Sequence, residues 1–252
     1  MTDRTFVIGD IHGERVLLTR LLAELPFIGP GDRLVFLGDY VDRGPDSRGV
    51  IELLRRLPEQ TAGAVVCLRG NHEDALLGAI DRRDPSFLLP VGNGVAASYR
   101  SFLDRPDVDP LDQDHVARYF DPAQWLPAPV VTWMRALPHW HRDEHAIYVH
   151  AGLSGEGTAW QPPETSDPTA LLWQREPDFF TGYAGPRLVF GHTPVADLPP
   201  PDAARTAPWQ RGPLVGLDTG AGKGGPLTCL ELPGGGYLQV FPDGEVRRGA
   251  LG

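Results

Sequence analysis

Two hydrophobic periods alternate over the first third of the chain. Short apolar runs, typical of buried strands, lie at residues 5–8, 33–37 and 64–68. Segments with an apolar residue every three or four positions, typical of helices, lie at 14–25, 47–57 and 73–80. Strands and helices in this alternating order are typical of βαβ units, so we predict an α/β fold.

The pattern changes over residues 81–140, which are rich in Pro and Asp and show apolar helical patches only at 95–103 and 131–137. We interpret this region as an inserted helical cap. Further along, we predict a strand at 145–149, a proline-rich loop at 196–213 that borders the cleft, and a hairpin formed by 226–232 and 237–241.

Length and composition are those of one enzyme-sized unit. The chain has 252 residues, of which 41% are hydrophobic, enough to bury one substantial core, so we predict a single domain over 1–252. The first predicted strand begins by Thr5, which leaves no room for a signal peptide, and no apolar run reaches the length of a membrane span. We therefore expect a cytoplasmic protein that does not bind membranes. Cys67 and Cys229 lie in apolar strand patterns and are expected to be free thiols.

Net charge narrows the range of partners. The formal charge of −10 argues against a general nucleic-acid binder, because phosphate backbones are held chiefly by Lys and Arg. Any Lys and Arg side chains that act in function should therefore lie together in a cleft.

Five short motifs carry metal-binding residue types at intervals along the chain. They are GDIHG at 9–13, GDYVDRG at 38–44, GNHE at 70–73, HAG at 150–152 and GHT at 191–193. The first three follow predicted strands, and open α/β sheets place their chemistry at the carboxyl ends of strands. Asp and His provide the oxygen and nitrogen ligands that divalent first-row metals accept. Two such ions can clamp the attacking and leaving oxygens at phosphorus, so the set predicts a two-metal phosphoesterase site.

In this order, the motifs resemble the phosphoprotein phosphatase branch of the calcineurin-like metallophosphoesterase superfamily, whose pattern is GDxHG, GDxxDRG, GNHE and later histidines. Residues 171–177, 189–195 and 217–221 also resemble segments of its small bacterial members, which are described as serine/threonine phosphatases or dinucleoside tetraphosphatases. The resemblance runs from about residue 5 to about 232 and is faint over 74–140. It implies a four-layer αββα sandwich.

The resemblance also implies a ligand set for two divalent ions, with Mn expected first and Fe, Zn, Ni, Co or Mg also compatible. Asp10 and His12 would bind the first ion and Asp39 would bridge both. The second ion would be bound by Asn71, His150 and His192. A metal-bound hydroxide would then attack phosphorus directly.

Four further residues take catalytic or substrate-binding roles by the same resemblance. His72 would protonate the leaving oxygen while Asp42 orients its imidazole, although Asp42 could instead cap its loop. Arg43 and Arg175 would grip the substrate phosphate, to which Asn71 also lies close. The alternative for Arg175 is an exposed ion pair with Glu176.

Three functions compete. The first is hydrolysis of phosphoserine or phosphothreonine in proteins, the second is hydrolysis of dinucleoside polyphosphates such as diadenosine tetraphosphate, and the third is a non-catalytic binding module. Every ligand and acid position is intact, which disfavours the third. Symmetrical tetraphosphatases of the family usually have Ala in place of Asp42 and Asp in place of Glu73, which favours the first. A nucleotide enzyme would need aromatic faces for the bases, for which the candidates are Tyr40, Trp140, Trp160 and Tyr183.

Overall fold

The computed structural model describes residues 3–252. In this range the strands are β1 (Thr5–Ile8), β2 (Arg33–Phe36), β3 (Ala64–Cys67), β4 (Trp140–Arg142), β5 (Ile147–Val149), β6 (Gly155–Glu156), β7 (Ala159–Trp160), β8 (Leu188–Phe190), β9 (Trp209–Arg211), β10 (Leu214–Gly216), β11 (Leu227–Leu232), β12 (Gly236–Val240) and β13 (Val246–Ala250). The α-helices are α1 (Arg15–Glu24), α2 (Ser47–Gln60), α3 (Asn71–Arg82), α4 (Val95–Leu103), α5 (Val116–Tyr119), α6 (Ala128–Ala136), α7 (Pro168–Trp173) and α8 (Pro177–Gly182).

Two mixed sheets form the centre of the molecule. The six-stranded sheet has the order β13-β12-β11-β1-β2-β3, in which β1, β2 and β3 are parallel and β11 joins β1 in the antiparallel sense. The five-stranded sheet has the order β4-β5-β8-β10-β9, with β5, β8 and β10 parallel. Each sheet therefore has three neighbouring parallel strands whose carboxyl ends lie at one edge.

The side chains of each strand point alternately to the two faces of its sheet, and this alternation shows how the layers are arranged. In β1, Val7 contacts the other sheet, whereas Phe6 and Ile8 pack on the helices of the opposite face. The second sheet follows the same rule, since Val189 of β8 faces the first sheet and its neighbours face α7 and α8. Because successive side chains of a strand point to opposite faces, strands that are buried on both faces are apolar throughout. The layers are helix, sheet, sheet and helix, so the predicted four-layer αββα sandwich is confirmed.

A side-chain cap and an apolar stripe fix the position of helix α2. The Asp46 side chain accepts a hydrogen bond from Gly49 N at 2.8 Å and caps α2. Along α2, the buried residues Val50, Leu54 and Leu57 form one stripe toward the six-stranded sheet. The helix is thus fixed at its start and along its inner face.

Most predicted elements are present, with ends that shift by a few residues. The helix predicted at 95–103 is α4 with the same bounds, and the predicted terminal hairpin is formed by β11 and β12. The loop prediction for 196–213 is wrong over β9, which pairs antiparallel with β10. Two of the three β9 side chains are exposed, so this edge strand lacks an apolar run that sequence could reveal. The third strand of the terminal meander, β13, was missed for the same reason.

The region 81–140 forms α4, α5 and α6 together with short 3₁₀ turns. Its buried residues Tyr99, Trp125 and Met134 belong to the same apolar cluster as the inner faces of α1 and α2. This region therefore packs directly against the six-stranded half of the molecule. Across residues 3–252, no helix combines the length and the apolar character that a membrane crossing requires.

Candidate metal centre

The carboxyl ends of all six parallel strands meet at one place. In the first sheet, Asp10 and His12 follow β1, Asp39 follows β2, and Asn71 begins the helix after β3. In the second sheet, His150 follows β5 and His192 follows β8. All six residues are buried, at 4% exposure or less. The structure therefore brings every sequence-predicted ligand together at the shared edge of the two sheets.

Unusual backbone conformations accompany this convergence. His12, Asp39 and His192 have positive φ angles of 46°, 53° and 61°, and Asp42 and Arg43 also have positive φ, at 72° and 67°. Non-glycine residues rarely adopt this region because it brings the side chain close to the backbone, and such strain is concentrated at functional sites. Five of the seven non-glycine residues with positive φ among residues 3–252 lie in this centre.

The carboxylate of Asp39 lies between two groups of possible ligands. One oxygen, Oδ2, is 3.4 Å from His12 Nε2 and 3.8 Å from His72 Nε2. The other, Oδ1, is 3.4 Å from His150 Nε2. Two clusters of potential metal ligands share Asp39, one with His12 and His72 and one with His150 and His192. This is the arrangement required of a bridging carboxylate.

The second cluster is built from electron-pair donors that face each other. His150 Nδ1 lies 2.9 Å from the carbonyl oxygen of Leu37, a contact that requires the proton on Nδ1 and leaves a lone pair on Nε2. This Nε2 lies 2.9 Å from Asn71 Oδ1, which also accepts. Two acceptors at this distance are stabilised by a cation between them. His192 Nδ1 lies 2.8 Å from the same oxygen; since Nε2 of this neutral imidazole accepts from Arg175 Nε, Nδ1 carries the proton and donates to Asn71, a hydrogen bond that a metal ion bound through Nδ1 would replace.

The first cluster also directs electron-pair donors toward its centre. His12 Nδ1 lies 2.9 Å from the carbonyl oxygen of Val41, so its Nε2 presents a lone pair toward Asp39. Asp10 accepts hydrogen bonds from the backbone N of His192 at 3.0 and 3.2 Å. Burial and the neighbouring carboxylate of Asp218 raise the pKa of Asp10 well above its ordinary value. A cation in this position would relieve both effects.

These contacts fit divalent metal ions. The donor atoms are imidazole nitrogens and carboxylate or amide oxygens, a mixed set that suits Mn, Fe, Zn and similar ions. Burial lowers the pKa values of His12, His150 and His192, which keeps these imidazoles in the neutral form that binds metals.

His72 differs from the other three histidines. Its Nδ1 lies 2.7 Å from Asp42 Oδ2, and both side chains are almost fully buried. Burial lowers the pKa of His72, but the carboxylates of Asp39 and Asp42 outweigh it and raise that pKa above its ordinary value. The two carboxylates thus shift His72 toward its charged form and the Arg43 guanidinium opposes this shift, while Nε2 faces Asp39 in the centre. The contact with His72 also means that Asp42 is not a simple loop cap.

Two arginines contact histidines of the centre. Arg43 contacts Nε2 of His12, and its Nη2 lies 3.1 Å from Nε2 of His72. Arg175 donates from Nε to His192 Nε2 at 2.9 Å and from Nη2 to the His192 carbonyl oxygen at 3.2 Å. The ion pair of Arg175 with Glu176 that the sequence left open is not formed among residues 3–252. Each guanidinium therefore contacts a histidine of one of the two candidate ligand clusters.

Sequence reasoning missed two carboxylates at the centre. Glu73 accepts backbone hydrogen bonds from Asp39, Tyr40, Val41 and Gly70 at 2.8–3.2 Å, so it holds the loop that carries Asp39. Asp218 follows β10, the sixth parallel strand, and burial raises its pKa to about 6. The available signal for Asp218 was its position directly after an apolar run, a position that the first three motifs share.

The aromatic residues near the centre also differ from those expected. Tyr40 is fully buried, Tyr183 lies in the outer core, and Trp140 and Trp160 pack against that same core. The rings at the centre are instead Phe87, 4.9 Å from the ring of His72, and Trp173, 5.9 Å from the ring of His192. They contact each other edge to face at 5.9 Å. Trp173 is 39% exposed, so part of this aromatic pair is open to a ligand.

The chain is similar to known proteins over most of its length. The family model described as calcineurin-like phosphoesterase matches residues 4–213. The chain is 31% identical to serine/threonine-protein phosphatase 1 of Salmonella typhimurium, over 90% of this chain and 91% of that protein. It is 26% identical to the symmetrical bis(5'-nucleosyl)-tetraphosphatase of Dechloromonas aromatica, over 94% of this chain and 95% of that protein.

Solved structures give a matching picture. A crystal structure named as that of a candidate diadenosine tetraphosphatase superimposes with a TM-score of 0.63 at 25% identity, over 99% of this chain and 94% of that chain. The cold-active protein-tyrosine phosphatase of a psychrophilic Shewanella species has a TM-score of 0.56 at 17% identity, over 98% of this chain and 82% of that chain. The second likeness is one of fold alone.

The position of Asp10 depends on a glycine, which gives a test of the centre. A Cβ atom at Gly191 would overlap Asp10 Oδ1, so Gly191→Ala should displace this carboxylate. We expect the affinity for Mn²⁺ to fall by roughly 10–100-fold, as when the support of a metal ligand is removed. Metal content after equilibrium dialysis at graded Mn²⁺ concentrations measures the effect. Gly234→Ala is the matched control, because nothing lies within 4 Å of a Cβ there. Equal Mn²⁺ affinity in both variants would show that Asp10 takes no part in metal binding.

Proposed function

Because the chain belongs to the calcineurin-like phosphoesterase family and is thus a hydrolase of phosphoester bonds, we propose that it removes phosphate from phosphoserine and phosphothreonine in proteins. The observation that supports this proposal most is the buried pair of His72 and Asp42, joined at 2.7 Å. An alkoxide of serine or threonine is a poor leaving group and needs a proton, whereas a nucleotide phosphate leaves readily without one. An oriented acid therefore suits an aliphatic phosphate ester best.

The proposed metal ligands are those that the strand ends bring together. Asp10 and His12 would hold one divalent ion, Asn71, His150 and His192 the other, and Asp39 would touch both, with Mn²⁺ as the expected ion. When bound, the ions would supply the activated water and neutralise charge on the phosphoryl oxygens.

The remaining residues would bind the phosphate and move a proton. Arg43 contacts His12 and Arg175 contacts His192, and their planar guanidiniums match phosphoryl oxygens. His72 would give its Nε2 proton to the leaving oxygen, while Asp42 keeps the proton on Nδ1 and stabilises the charged imidazole. Phe87 packs against the His72 ring and limits the access of water to it.

A second candidate, hydrolysis of dinucleoside polyphosphates, is favoured by one specific observation. Trp173 lies beside His192 with 39% of its surface exposed, and an exposed indole can stack on a nucleobase. The relative from Dechloromonas aromatica is named for this activity. Against it stand Asp42 and Glu73, which have the form found in protein phosphatases of the family.

A side-by-side assay separates the two candidates. The Mn²⁺-loaded protein should be tested on a panel of phosphoserine and phosphothreonine peptides and on a panel of dinucleoside polyphosphates, with kcat/KM measured for each. We expect the larger value for a phosphopeptide. If diadenosine tetraphosphate gives the larger kcat/KM, and Trp173→Ala lowers it while sparing phosphopeptides, the second candidate is correct.

The shared position of Asp39 predicts an unequal effect of two identical substitutions. Asp39→Asn should weaken both metal positions at once and reduce Mn²⁺ affinity by more than roughly 100-fold, the upper end for residues that only support a ligand. Asp42→Asn makes the same chemical change three positions away and should leave two ions bound. Metal analysis and thermal unfolding of both variants give the comparison. Two tightly bound ions in Asp39→Asn would contradict the bridging role.

The role of His72 predicts a defect that depends on the leaving group. His72→Ala should lower kcat by roughly 10²–10⁴ on a phosphoserine peptide while metal content stays unchanged. On p-nitrophenyl phosphate the loss should be small, because a nitrophenolate needs little protonation. Asp42→Asn should show the same selectivity in milder form. An equal loss on both substrates, or a loss of metal, would mean that His72 is a structural residue or a ligand.

A further inference from the structure

The segment that carries Asp42 and Arg43 is held from outside the sheets by the start of helix α4. The backbone N of Arg43 donates to the carbonyl oxygen of Gly94 at 3.0 Å. The backbone N of Asp42 lies 2.7 Å from Ser98 Oγ and 3.0 Å from Ser47 Oγ. Ser98 is 56 residues away from Asp42 in the chain, in the region for which the sequence offered no function.

Ser98 also contacts the Asp42 carboxylate. Its Oγ lies 2.6 Å from Asp42 Oδ1, while Asp42 Oδ2 makes the contact with His72 Nδ1. Asp42, Ser98 and Ser47 are all fully buried, at 0% exposure. The two carboxylate oxygens therefore have separate partners, one on α4 and one on α3.

The hydrogen positions in this network follow from the number of donors. A carboxylate only accepts, so the single Ser98 hydroxyl proton must be donated to Asp42 Oδ1. The Ser98 oxygen then accepts from the Asp42 backbone N and from Ser47 Oγ, which lies 2.9 Å away. Each of these bonds has one donor and one acceptor. The bonds therefore converge on Asp42: Ser47 donates to Ser98, Ser98 donates to Oδ1, and His72 Nδ1–H donates to Oδ2 from the other side.

We propose that Ser98 is a positioning residue for proton transfer, acting on the leaving group through Asp42 and His72. By holding Oδ1, Ser98 fixes the rotation of the carboxylate so that Oδ2 meets Nδ1 of His72. The first helix of region 81–140 is then a part of the catalytic apparatus. This inference rests on the proposed role of His72 as the acid.

Ser98→Ala tests the proposal. Without the hydroxyl, Asp42 Oδ1 is a buried acceptor without a side-chain donor, and the carboxylate can rotate away from His72. We expect kcat on a phosphoserine peptide to fall roughly tenfold, with KM within about twofold of the parent and a much smaller loss on p-nitrophenyl phosphate. Ser98→Thr, and Ser98→Cys as a second conservative replacement, should recover kcat in the order of their hydrogen-bonding strength.

Ser101→Ala is the matched control on the same helix. Ser101 Oγ accepts from the backbone N of Arg48 at 3.0 Å and has no contact with Asp42 among the hydrogen bonds of residues 3–252. Ser101→Ala should leave kcat and KM on both substrates unchanged. Thermal unfolding and Mn²⁺ content of all variants separate a loss of stability or metal from a loss of proton transfer.

A double-variant comparison distinguishes the possible failures. If Ser98 acts through Asp42, adding Ser98→Ala to Asp42→Asn should cause almost no further loss of kcat. If the two losses multiply, or if Ser98→Ala impairs both substrates equally, Ser98 is merely structural and the inference is wrong. If His72→Ala itself shows no dependence on the leaving group, the proposed acid is wrong and the inference falls with it.

Discussion

The centre depends on the buried carboxylate of Asp39, which must face two groups of ligands at once. Its oxygens lie 3.4 Å from His12 and 3.4 Å from His150, residues that come from different sheets. Asp39 has a left-handed backbone, and three backbone hydrogen bonds from Asp39, Tyr40 and Val41 to Glu73 hold this strained loop in place. The sandwich, in turn, is what brings the strand ends of both sheets to this carboxylate.

Hydrogen bonding divides the histidines into two kinds. His12 and His150 donate Nδ1–H to backbone carbonyl oxygens, so the lone pair of each Nε2 is directed into the centre. His72 uses Nδ1 on a carboxylate, which raises its pKa and favours the charged form. Imidazoles at similar burial thus differ in chemistry because the Nδ1 partner is a neutral carbonyl in one case and a carboxylate in the other, where the charge of Asp39 adds to that of Asp42.

The helices of region 81–140 reach the site at two points. Phe87 packs on the ring of His72, and Ser98 binds the carboxylate that orients the same histidine. The buried residues of these helices also join the core of the six-stranded half. The region that the sequence suggested as a cap therefore contacts both His72 and the carboxylate that orients it.

The sequence by itself predicted six of the thirteen strands and five of the eight α-helices of residues 3–252, and the resemblance of its motifs to a known family implied the six ligand positions. A ligand at the end of a parallel strand needs only the order of elements to be placed. Only the tertiary structure decided the partners of those residues. The contacts of Ser98 with Asp42, and of Phe87 with His72, join segments that are far apart in the chain. The edge strands β9 and β13 could be recognised only from their pairing with β10 and β12. Such contacts depend on how helices and strands pack, which no local pattern of residues encodes.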